Sequence, residues 1–276
     1  MIKFFTVAGL LGITGLFGLG RFERSMIWPL DITYETPQQA GVMASEQRVT
    51  MQDGTEIIAW AAAPTPGKPI VLYFHGNTGN LANRGSAFNW FLSRGYGLVA
   101  MSYRGSSGSE GTAIERSISS DAHEIYDKIN FLTGTQDHPI VIYGESIGAS
   151  VGIALAADLQ DDPRLKGLVL EAPFTSIPDV IRLKFPQFRA LLFALKNRWP
   201  SEDRIRNITI PLLVIHGTDD MVTAFEMGRA IHTAAASPHK EFIAVTGAGH
   251  DNTWQPYVME RLDQFLSTAQ ISNSDG

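Results

Sequence analysis

Residues 140–154 read IVIYGESIGASVGIA, and this segment gives the strongest indication of the fold. It opens with four apolar residues, a run typical of a strand that is buried on both faces of a parallel sheet. It ends in a helical run of small and apolar residues that extends to Leu159. Ser146 lies between the two in a Gly-x-Ser-x-Gly pattern, which is typical of a sharp turn that lifts the hydroxyl above a sheet edge. The alternative is an ordinary strand-to-helix turn in which the serine has no role.

The rest of the chain after Pro29 repeats this alternation of strands and helices. Strands are predicted at Gln47–Met51, Glu56–Ala62, Ile70–His75, Leu98–Tyr103, Ile140–Tyr143, Gly167–Glu171, Leu212–His216 and Glu241–Val245. Helices are predicted at Leu81–Ser93, Ile114–Leu132, Ile147–Leu159, Thr223–Ala236 and Trp254–Ser267. The Asp53-Gly54 pair indicates a hairpin between the first two strands. We therefore expect a mostly parallel sheet with helices on both faces.

The composition excludes several classes of protein. The 276 residues include 44% hydrophobic and 18% charged residues, enough apolar material for one large folded domain or two small ones. The net charge of −6 argues against a nucleic-acid partner, which needs a basic surface. The chain has no cysteine, which excludes disulfides, thiolate nucleophiles and thiolate zinc sites. Its histidines lack metal-binding spacing, so we do not expect a metal site.

A reactive serine needs a base that takes its proton and a carboxylate that orients the base. In a fold of this kind the acid and then the histidine follow later strands. The strand predicted at 212–216 is followed by Asp219 and Asp220, and the residues alone do not separate these two carboxylates. His250 follows the last predicted strand in a glycine-rich loop, which lets its imidazole reach across to Ser146.

Residues 73–80, Tyr-Phe-His-Gly-Asn-Thr-Gly-Asn, close another buried strand with a small turn. This turn can present a backbone N–H, expected at Asn77, to the oxyanion of a tetrahedral intermediate. The second donor is expected to be the N–H of Ile147, the residue after the serine. The alternative is a turn shaped only by sheet topology. His75 and His216 each precede a glycine directly after a strand and are interpreted as stabilising those turns.

Five motifs in this order resemble those of the α/β-hydrolase superfamily. They are His-Gly-Asn-x-Gly-Asn at 75–80, Tyr-Arg-Gly at 103–105 with Ser-Glu-Gly at 109–111, Gly-Glu-Ser-Ile-Gly at 144–148, His-Gly-Thr-x-Asp-x-Val at 216–222 and Gly-x-Gly-His-x-x-Thr-Trp at 247–254. The chain is most similar to the membrane-anchored serine-hydrolase branch, which includes protein depalmitoylases. The resemblance implies the α/β-hydrolase fold with a short cap segment. It also implies that Asp220, the fifth residue of the fourth motif, is the acid.

The chain departs from the family pattern at two places near the expected site. The usual Tyr-Arg-Gly-Tyr-Gly is Tyr-Arg-Gly-Ser-Ser-Gly at 103–108, and the usual Asn-Asp after the histidine is Asp251-Asn252. Asp251 adds negative charge next to His250, which raises the pKa of the imidazole if the two side chains face each other. Both departures leave the three expected catalytic residues in place but weaken any inference about substrate.

An uncharged, mostly apolar run occupies residues 4–20. As a helix it would be about 25 Å long, slightly short of a hydrocarbon core of about 30 Å. We expect it to be an uncleaved membrane anchor, with a cleaved signal peptide or a buried soluble helix as alternatives. Residues 1–30 then form the anchor and juxtamembrane segment, and residues 31–276 form the hydrolase domain. The basic residues on the two sides of the run are nearly balanced, so they do not determine which side of the membrane the domain occupies.

The connection at 174–210 is the longest departure from the strand–helix alternation, and we call it the cap segment. In α/β hydrolases this connection passes over the active site. Residues 179–206 carry seven basic and three acidic residues, a net charge of +4 in a chain of −6. Bulky apolar residues are interleaved with them. Two interpretations stay open: a helix lying at an anionic lipid surface, or an amphipathic helix packed on its own domain with a solvated basic face.

Together these features predict a serine hydrolase with Ser146 as nucleophile, His250 as base and Asp220 as orienting acid. We expect it to cleave carboxylic ester or thioester bonds of lipidic or acylated substrates through an acyl-enzyme, without a cofactor. A prolyl-oligopeptidase-type peptidase shares the order of the three residues and is one alternative. A non-catalytic binding protein on the same fold is another. The expected partners are the substrate and, through the N-terminal run, a membrane.

Overall fold

The computed structural model describes residues 23–136 and 138–269. The apolar run at 4–20 lies outside these ranges, so the membrane anchor stays a prediction. Within the described residues, no helix has both the length and the apolar character needed to cross a bilayer. The described chain begins with a helical turn at 23–27, where the Glu23 carboxylate accepts hydrogen bonds from the backbone of the cap segment.

An eight-stranded sheet forms the centre of the described structure. Its strands are β1 (Ser45–Thr50), β2 (Glu56–Ala62), β3 (Ile70–Phe74), β4 (Gly97–Met101), β5 (Ile140–Glu145), β6 (Leu165–Glu171), β7 (Leu212–Gly217) and β8 (Lys240–Val245). They lie in the order β1-β2-β4-β3-β5-β6-β7-β8. The pairs β1–β2 and β2–β4 are antiparallel, and all other pairs are parallel. The predicted fold class, a mostly parallel sheet with helices around it, is confirmed.

Helices pack on both faces of this sheet. In the described residues they are α1 (Gly85–Ser93), α2 (Glu115–Asp127), α3 (Ile129–Thr133), α4 (Ile147–Leu159), α5 (Ile177–Lys184), α6 (Ser201–Ile205), α7 (Phe225–Ala234) and α8 (Pro256–Thr268), with 3-10 helices at Ala82–Arg84 and Pro186–Ala194. The helix predicted at 114–132 is divided at Lys128, whose ψ of 2° leaves the helical range. The others differ from their predicted bounds only at their ends.

The cap segment is not one amphipathic helix, so the single helix assumed in both interpretations was wrong. α5 ends before Pro186, because a proline disfavours the helical conformation of the residue that precedes it. Phe185 accordingly has φ −134° and ψ 59°, and the chain continues as a 3-10 helix. At the base of the segment Trp199 is fully buried and lies edge-on to Trp28, with ring centroids 6.4 Å apart. The base of the cap segment is therefore fixed to the domain, while its 3-10 helix lies further out.

Two apolar clusters lie on the two faces of the sheet. Within β3, Ile70 and Leu72 belong to one cluster, whereas Val71 and Tyr73 belong to the other, as the alternation of a strand requires. Burial on both faces explains why the central strands are continuous apolar runs. Because β3 and β5 to β8 are parallel, their carboxyl ends share one edge of the sheet, which is where ligands bind in open α/β folds.

Candidate active site

Ser146 lies at the sharp turn between β5 and α4. Its backbone has φ 55° and ψ −116°, a conformation that residues other than glycine rarely adopt. The turn packs so tightly that a methyl group on Gly148 would overlap the carbonyl oxygen of Phe74. The backbone N–H of Ser146 donates to the carbonyl oxygen of Glu171 at 2.8 Å, which ties the turn to β6. Packing and this bond hold the strained backbone in place above the sheet edge.

The structure brings Asp220 and His250 to Ser146. His250 Nε2 lies 3.0 Å from Ser146 Oγ, and His250 Nδ1 lies 2.7 Å from Asp220 Oδ2. A neutral imidazole that donates its Nδ1–H to the carboxylate has its Nε2 lone pair directed at the serine hydroxyl. The three side chains come from loops after β5, β7 and β8, which the parallel sheet places together. This geometry suits a base that takes the serine proton.

Asp220 is held as a carboxylate by a dense set of donors. Its Oδ1 accepts the backbone N–H groups of Val222 at 2.7 Å and Thr223 at 2.9 Å, and its Oδ2 accepts the Thr223 hydroxyl. Burial opposes its charge, but hydrogen bonds from His216 and His250 outweigh burial and hold the pKa of Asp220 well below its usual range. The exposed neighbour Asp219 instead accepts the hydroxyl of Thr218. Asp220 is thus the carboxylate that contacts the imidazole.

His216 is a site residue that the sequence interpretation missed. It is fully buried, and its Nε2 lies 3.1 Å from the Thr223 carbonyl oxygen and 3.3 Å from Asp220 Oδ2. A carbonyl oxygen can only accept, so Nε2 carries the proton and faces both oxygens. The sequence does place His216 four residues before Asp220, at the end of β7, and this short separation could have indicated that the two side chains meet. His216 contacts the same carboxylate oxygen, Oδ2, as His250 does.

The pKa of His250 is raised above its ordinary value of 6.5. Burial lowers it, but the hydrogen bond and charge of Asp220 outweigh burial, and Asp251 and then Glu145 add in the same direction. The expected effect of Asp251 on the imidazole thus has the sign that the sequence predicts. Only neutral imidazole can accept the serine proton, so the active fraction grows as pH rises through this raised pKa.

We expect Asp251→Asn to move the acidic limb of the pH profile of kcat/KM to lower pH. Removing the Asp251 charge lowers the pKa of His250, so the base becomes neutral at a lower pH. Because Asp251 is exposed, the shift should shrink in high salt. The measurement is a pH–rate profile of ester hydrolysis at two salt concentrations. The control Asp161→Asn, just beyond the far end of α4, should leave the limb in place; equal shifts in both variants would contradict the assignment.

A second buried network fixes the loop that carries His250. Glu171, at the end of β6, accepts hydrogen bonds from the Tyr143 hydroxyl at 2.5 Å, the Trp254 indole at 3.1 Å and the Thr253 hydroxyl. Burial, followed by the nearby charge of Glu145, raises the pKa of Glu171. The Thr-Trp pair of the last motif therefore holds the loop after β8 against the sheet. The sequence interpretation included the Thr-Trp pair in the last motif but assigned it no role.

The two expected oxyanion donors lie at the same cavity as the serine. Asn77, Ser146 and Ile147 all line it. The Asn77 side chain donates to the Ile27 carbonyl oxygen at 2.9 Å, and the Tyr103 hydroxyl donates to the His75 carbonyl oxygen at 2.7 Å, so the turn after β3 is braced on two sides. Helix α4 begins at Ile147, and its N-terminus favours negative charge at this position. The arrangement suits an oxyanion, and the roles of the two N–H groups stay a prediction.

A partly buried ion pair links this turn to the serine. Arg84 donates to Glu145 Oε1 at 2.6 Å and Oε2 at 3.1 Å, and also to the Thr78 carbonyl oxygen at 2.6 Å. Burial opposes the charge of Glu145, but Arg84 outweighs burial and lowers the pKa of the carboxyl. Since Glu145 directly precedes Ser146, Arg84 connects the turn after β3 with the nucleophile.

We expect Arg84→Met to lower the free energy of unfolding by about 2 kcal/mol, between the losses for exposed and for fully buried pairs, because it leaves the partly buried Glu145 carboxylate without its charged partner. Urea unfolding followed by tryptophan fluorescence measures the change. Arg48→Met is the matched control: its pair with Glu56 is similarly short, at 2.7 Å, but the two side chains are 53% and 38% exposed. That loss should stay below about 1 kcal/mol. Equal losses of unfolding free energy in Arg84→Met and Arg48→Met would contradict the proposal that the Arg84–Glu145 pair stabilises the fold more than a surface pair does.

An apolar cavity of ≈ 370 Å³ opens above Ser146. Its walls come from the cap segment, from the helical turn at 23–27 and from the loop after β7. Among the lining residues are Met26, Ile27, Phe174, Ile177, Ile181, Phe188, Leu192, Leu195 and Met221. Such a cavity can hold a hydrocarbon chain next to the serine hydroxyl. Polar groups line both the floor, at Asn77 and Ser146, and the walls, at Glu23, Lys184 and Thr223.

The fold and the site geometry define an α/β hydrolase. The chain belongs to the family described as serine aminopeptidase, S33, which matches residues 65–203. It is 30% identical over 220 residues to an uncharacterised protein of Mycobacterium tuberculosis, covering 78% of this chain and 76% of that protein.

Two further similarities extend this comparison. The chain is 33% identical over 189 residues to the lysophosphatidylserine lipase ABHD12 of Rattus norvegicus; the match covers 63% of this chain and spans 47% of the rat protein. Among solved structures, the Pyrococcus furiosus esterase Pf2001 superposes with a TM-score of 0.66 at 18% identity, over 87% of this chain and 96% of that one. At 18% identity the match to the esterase structure shows a shared fold and nothing about activity.

Proposed function

We propose that the protein is a serine hydrolase that cleaves carboxylic ester or thioester bonds through an acyl-enzyme. The single observation that carries the proposal is the contact chain from Asp220 through His250 to Ser146, with distances of 2.7 and 3.0 Å. It lies at the carboxyl edge of the sheet, beneath a cavity that can receive an acyl group. The membership of a hydrolase family supports the same reaction type.

The chemistry follows from the geometry. His250 Nε2 takes the proton of Ser146 as Oγ attacks the acyl carbonyl carbon, and Asp220 stabilises the imidazolium that forms. The backbone N–H groups of Asn77 and Ile147 stabilise the oxyanion. His250 then returns the proton to the leaving oxygen or sulfur, and the acyl group stays on Ser146. A water molecule attacks the acyl-enzyme with His250 again acting as base.

A lipidic acyl group is the proposed substrate class. The cavity is lined mostly by aliphatic and aromatic side chains, so each buried methylene of a substrate contributes to binding. The rat relative is named for the hydrolysis of a lysophospholipid, which agrees with this proposal. We further propose that the apolar run at 4–20 anchors the domain at a membrane, where such substrates reside, and that the catalytic domain with its cap segment at 174–210 includes the helical turn at 23–27.

A chain-length series tests the substrate class. With p-nitrophenyl esters and acyl thioesters, kcat/KM should rise by up to about fourfold per methylene until the cavity is full. Ile181→Trp fills part of the cavity and should remove the gain for long chains, while hydrolysis of the acetate serves as the internal control. A flat chain-length profile in the wild-type protein would contradict acyl binding in this cavity.

A peptidase is the second candidate function, because the matching family is described as serine aminopeptidase, S33. A prolyl-oligopeptidase-type enzyme uses the same order of serine, acid and histidine. Aminoacyl amides, assayed beside the esters, separate the two functions. Cleavage of the amides at rates that match the esters would overturn the esterase proposal.

A non-catalytic binding protein is the alternative from outside the enzymes. A fluorophosphonate probe separates it from a serine hydrolase, since the probe reacts only with an activated serine. Labelling of the wild-type protein that disappears in Ser146→Ala supports an enzyme. Absence of labelling in the folded wild-type protein supports the binding protein.

A further inference from the structure

Exposed apolar side chains line the mouth of the cavity or directly adjoin its lining residues in the chain, and we call them the rim. The rim consists of Leu183, Phe185, Phe193, Met221 and Val222. Phe193 is 84% exposed and Met221 79%. Three rim residues, Phe185, Met221 and Val222, also line the cavity, so the exposed apolar surface continues into it. Single exposed apolar residues are common on soluble proteins, but a group of them at the mouth of an apolar cavity marks an interaction surface.

The cap segment, which contributes three of the five rim residues, also carries seven basic side chains. Three of them have carboxylate partners: Arg182 with Asp179, Arg204 with Glu115 and Arg206 with Glu202. The other four have no carboxylate partner within the residues that the structure describes. These are Lys184, Arg189, Lys196 and Arg198. In a chain of net charge −6, this surface therefore carries an excess of positive charge.

The described chain begins at the same mouth, three residues after the N-terminal apolar run ends in the sequence. The run ends at residue 20, and the described chain begins at Glu23, which lines the cavity together with Met26 and Ile27. Glu23 also accepts the backbone N–H groups of Lys196 and Asn197, so the start of the described chain is bound directly to the cap segment. The start of the described chain, the basic side chains and the rim thus lie on one side of the molecule.

We propose that the rim docks onto the surface of an anionic bilayer. Phe193 and Leu183 enter the boundary between headgroups and acyl chains, and Lys184, Arg189 and Lys196 pair with anionic headgroups. Apolar burial and headgroup attraction together give the binding mode of an interfacial surface, and neither alone would suffice. The docked cavity opens toward the lipid, so an acyl chain passes from the bilayer to Ser146 without crossing water. This last step rests on the proposed function, whereas the docking itself does not.

The chain has no cysteine, so one introduced cysteine is a unique attachment site for a polarity-sensitive dye. We would label Phe193→Cys and Leu183→Cys, neither of which lines the cavity, in the full chain carrying Ser146→Ala. Phe131→Cys is the matched control, because Phe131 is 82% exposed and lies on α3, near the opposite edge of the sheet. Each protein is reconstituted into vesicles of phosphatidylcholine, with or without phosphatidylserine.

The dye at 193 and 183 should shift its emission to shorter wavelength and be quenched by spin-labelled lipid, more strongly with phosphatidylserine present. The dye at 131 should do neither. Replacing Lys184, Arg189 and Lys196 with Gln should lower the docking equilibrium on anionic vesicles on the order of a hundredfold, since each basic residue contributes about a factor of five. Replacing Lys128, Lys166 and Arg261 removes the same number of charges elsewhere and should leave docking unchanged.

Three results would overturn the proposal. One is emission at 193 that stays as in water on both kinds of vesicle. Another is an equal response at 131. The third is a shift that needs no lipid and grows with protein concentration, which would mean that a second copy covers the rim. Because every protein in the assay carries Ser146→Ala, a negative hydrolysis assay leaves this test intact, and a negative docking assay leaves the proposed reaction intact.

Discussion

Replacing Ser146 with alanine is expected to lower kcat for ester hydrolysis by about six orders of magnitude. The substitution removes the only hydroxyl that lies 3.0 Å from His250 Nε2 in the described structure, so no acyl-enzyme can form. The remaining reaction comes from water in the site, with the oxyanion donors still in place. The measurement is hydrolysis of the best p-nitrophenyl ester at saturating concentration, with the rate in buffer subtracted.

Ser120→Ala is the control for this substitution, because Ser120 is exposed on α2. Its kcat should stay within about twofold of the wild-type value. Unfolding in urea should show that both variants retain the wild-type fold. If Ser146→Ala kept more than about one hundredth of the wild-type kcat, the nucleophile would lie elsewhere and the proposed mechanism would be wrong.

Replacing Asp220 with asparagine is expected to lower kcat by about four orders of magnitude. The amide keeps the shape of the side chain but removes the charge that stabilises the imidazolium. It also favours the wrong tautomer of His250, because an amide nitrogen facing Nδ1 donates where the carboxylate accepts. KM should change much less, since Asp220 does not line the cavity.

Asp219→Asn is the matched control and removes the same charge one residue earlier. The Asp219 side chain accepts only the Thr218 hydroxyl in the described structure, so kcat should stay within a few-fold of wild type. The pair of variants tests the choice that the residues alone left open. A large loss in Asp219→Asn with a small one in Asp220→Asn would reverse the assignment of the acid.

Much of the fold was predictable because buried strands can be recognised in the sequence by their apolar residues. A strand covered by helices on both faces must be apolar throughout, and Ile70–Phe74 or Leu212–His216 can be recognised from that property alone. The positions of Ser146 and His250 follow in turn, since parallel strands bring the loops at their carboxyl ends together. Local pattern and global topology agree at these positions.

The remaining site features depend on contacts between distant residues. Arg84 and Glu145 are 61 residues apart, and no local pattern marks them as partners. His216 supports Asp220 only because the turn after β7 brings the carboxylate back to the ring of His216. In the cap segment the apolar and basic pattern suggested one helix, although Pro186 was the signal for a break. The mixture of apolar and basic residues in the sequence is indeed found in the cap segment, but the sequence did not predict that its backbone is divided between α5 and a 3-10 helix.

The helical turn at 23–27 has a practical consequence for anyone who shortens the chain. It supplies Met26 and Ile27 to the cavity wall, and the Ile27 carbonyl oxygen restrains Asn77. A protease cut after Arg21 would leave the pocket whole, because the cavity wall begins at Glu23. With the membrane anchor proposed above, this cut would also release the catalytic domain. A cut after Trp28 would discard the pocket wall and the restraint on Asn77 together. Removal of the N-terminal run and loss of the pocket wall thus have separate cleavage points, and an inert fragment would indicate that the cut was made too far into the chain.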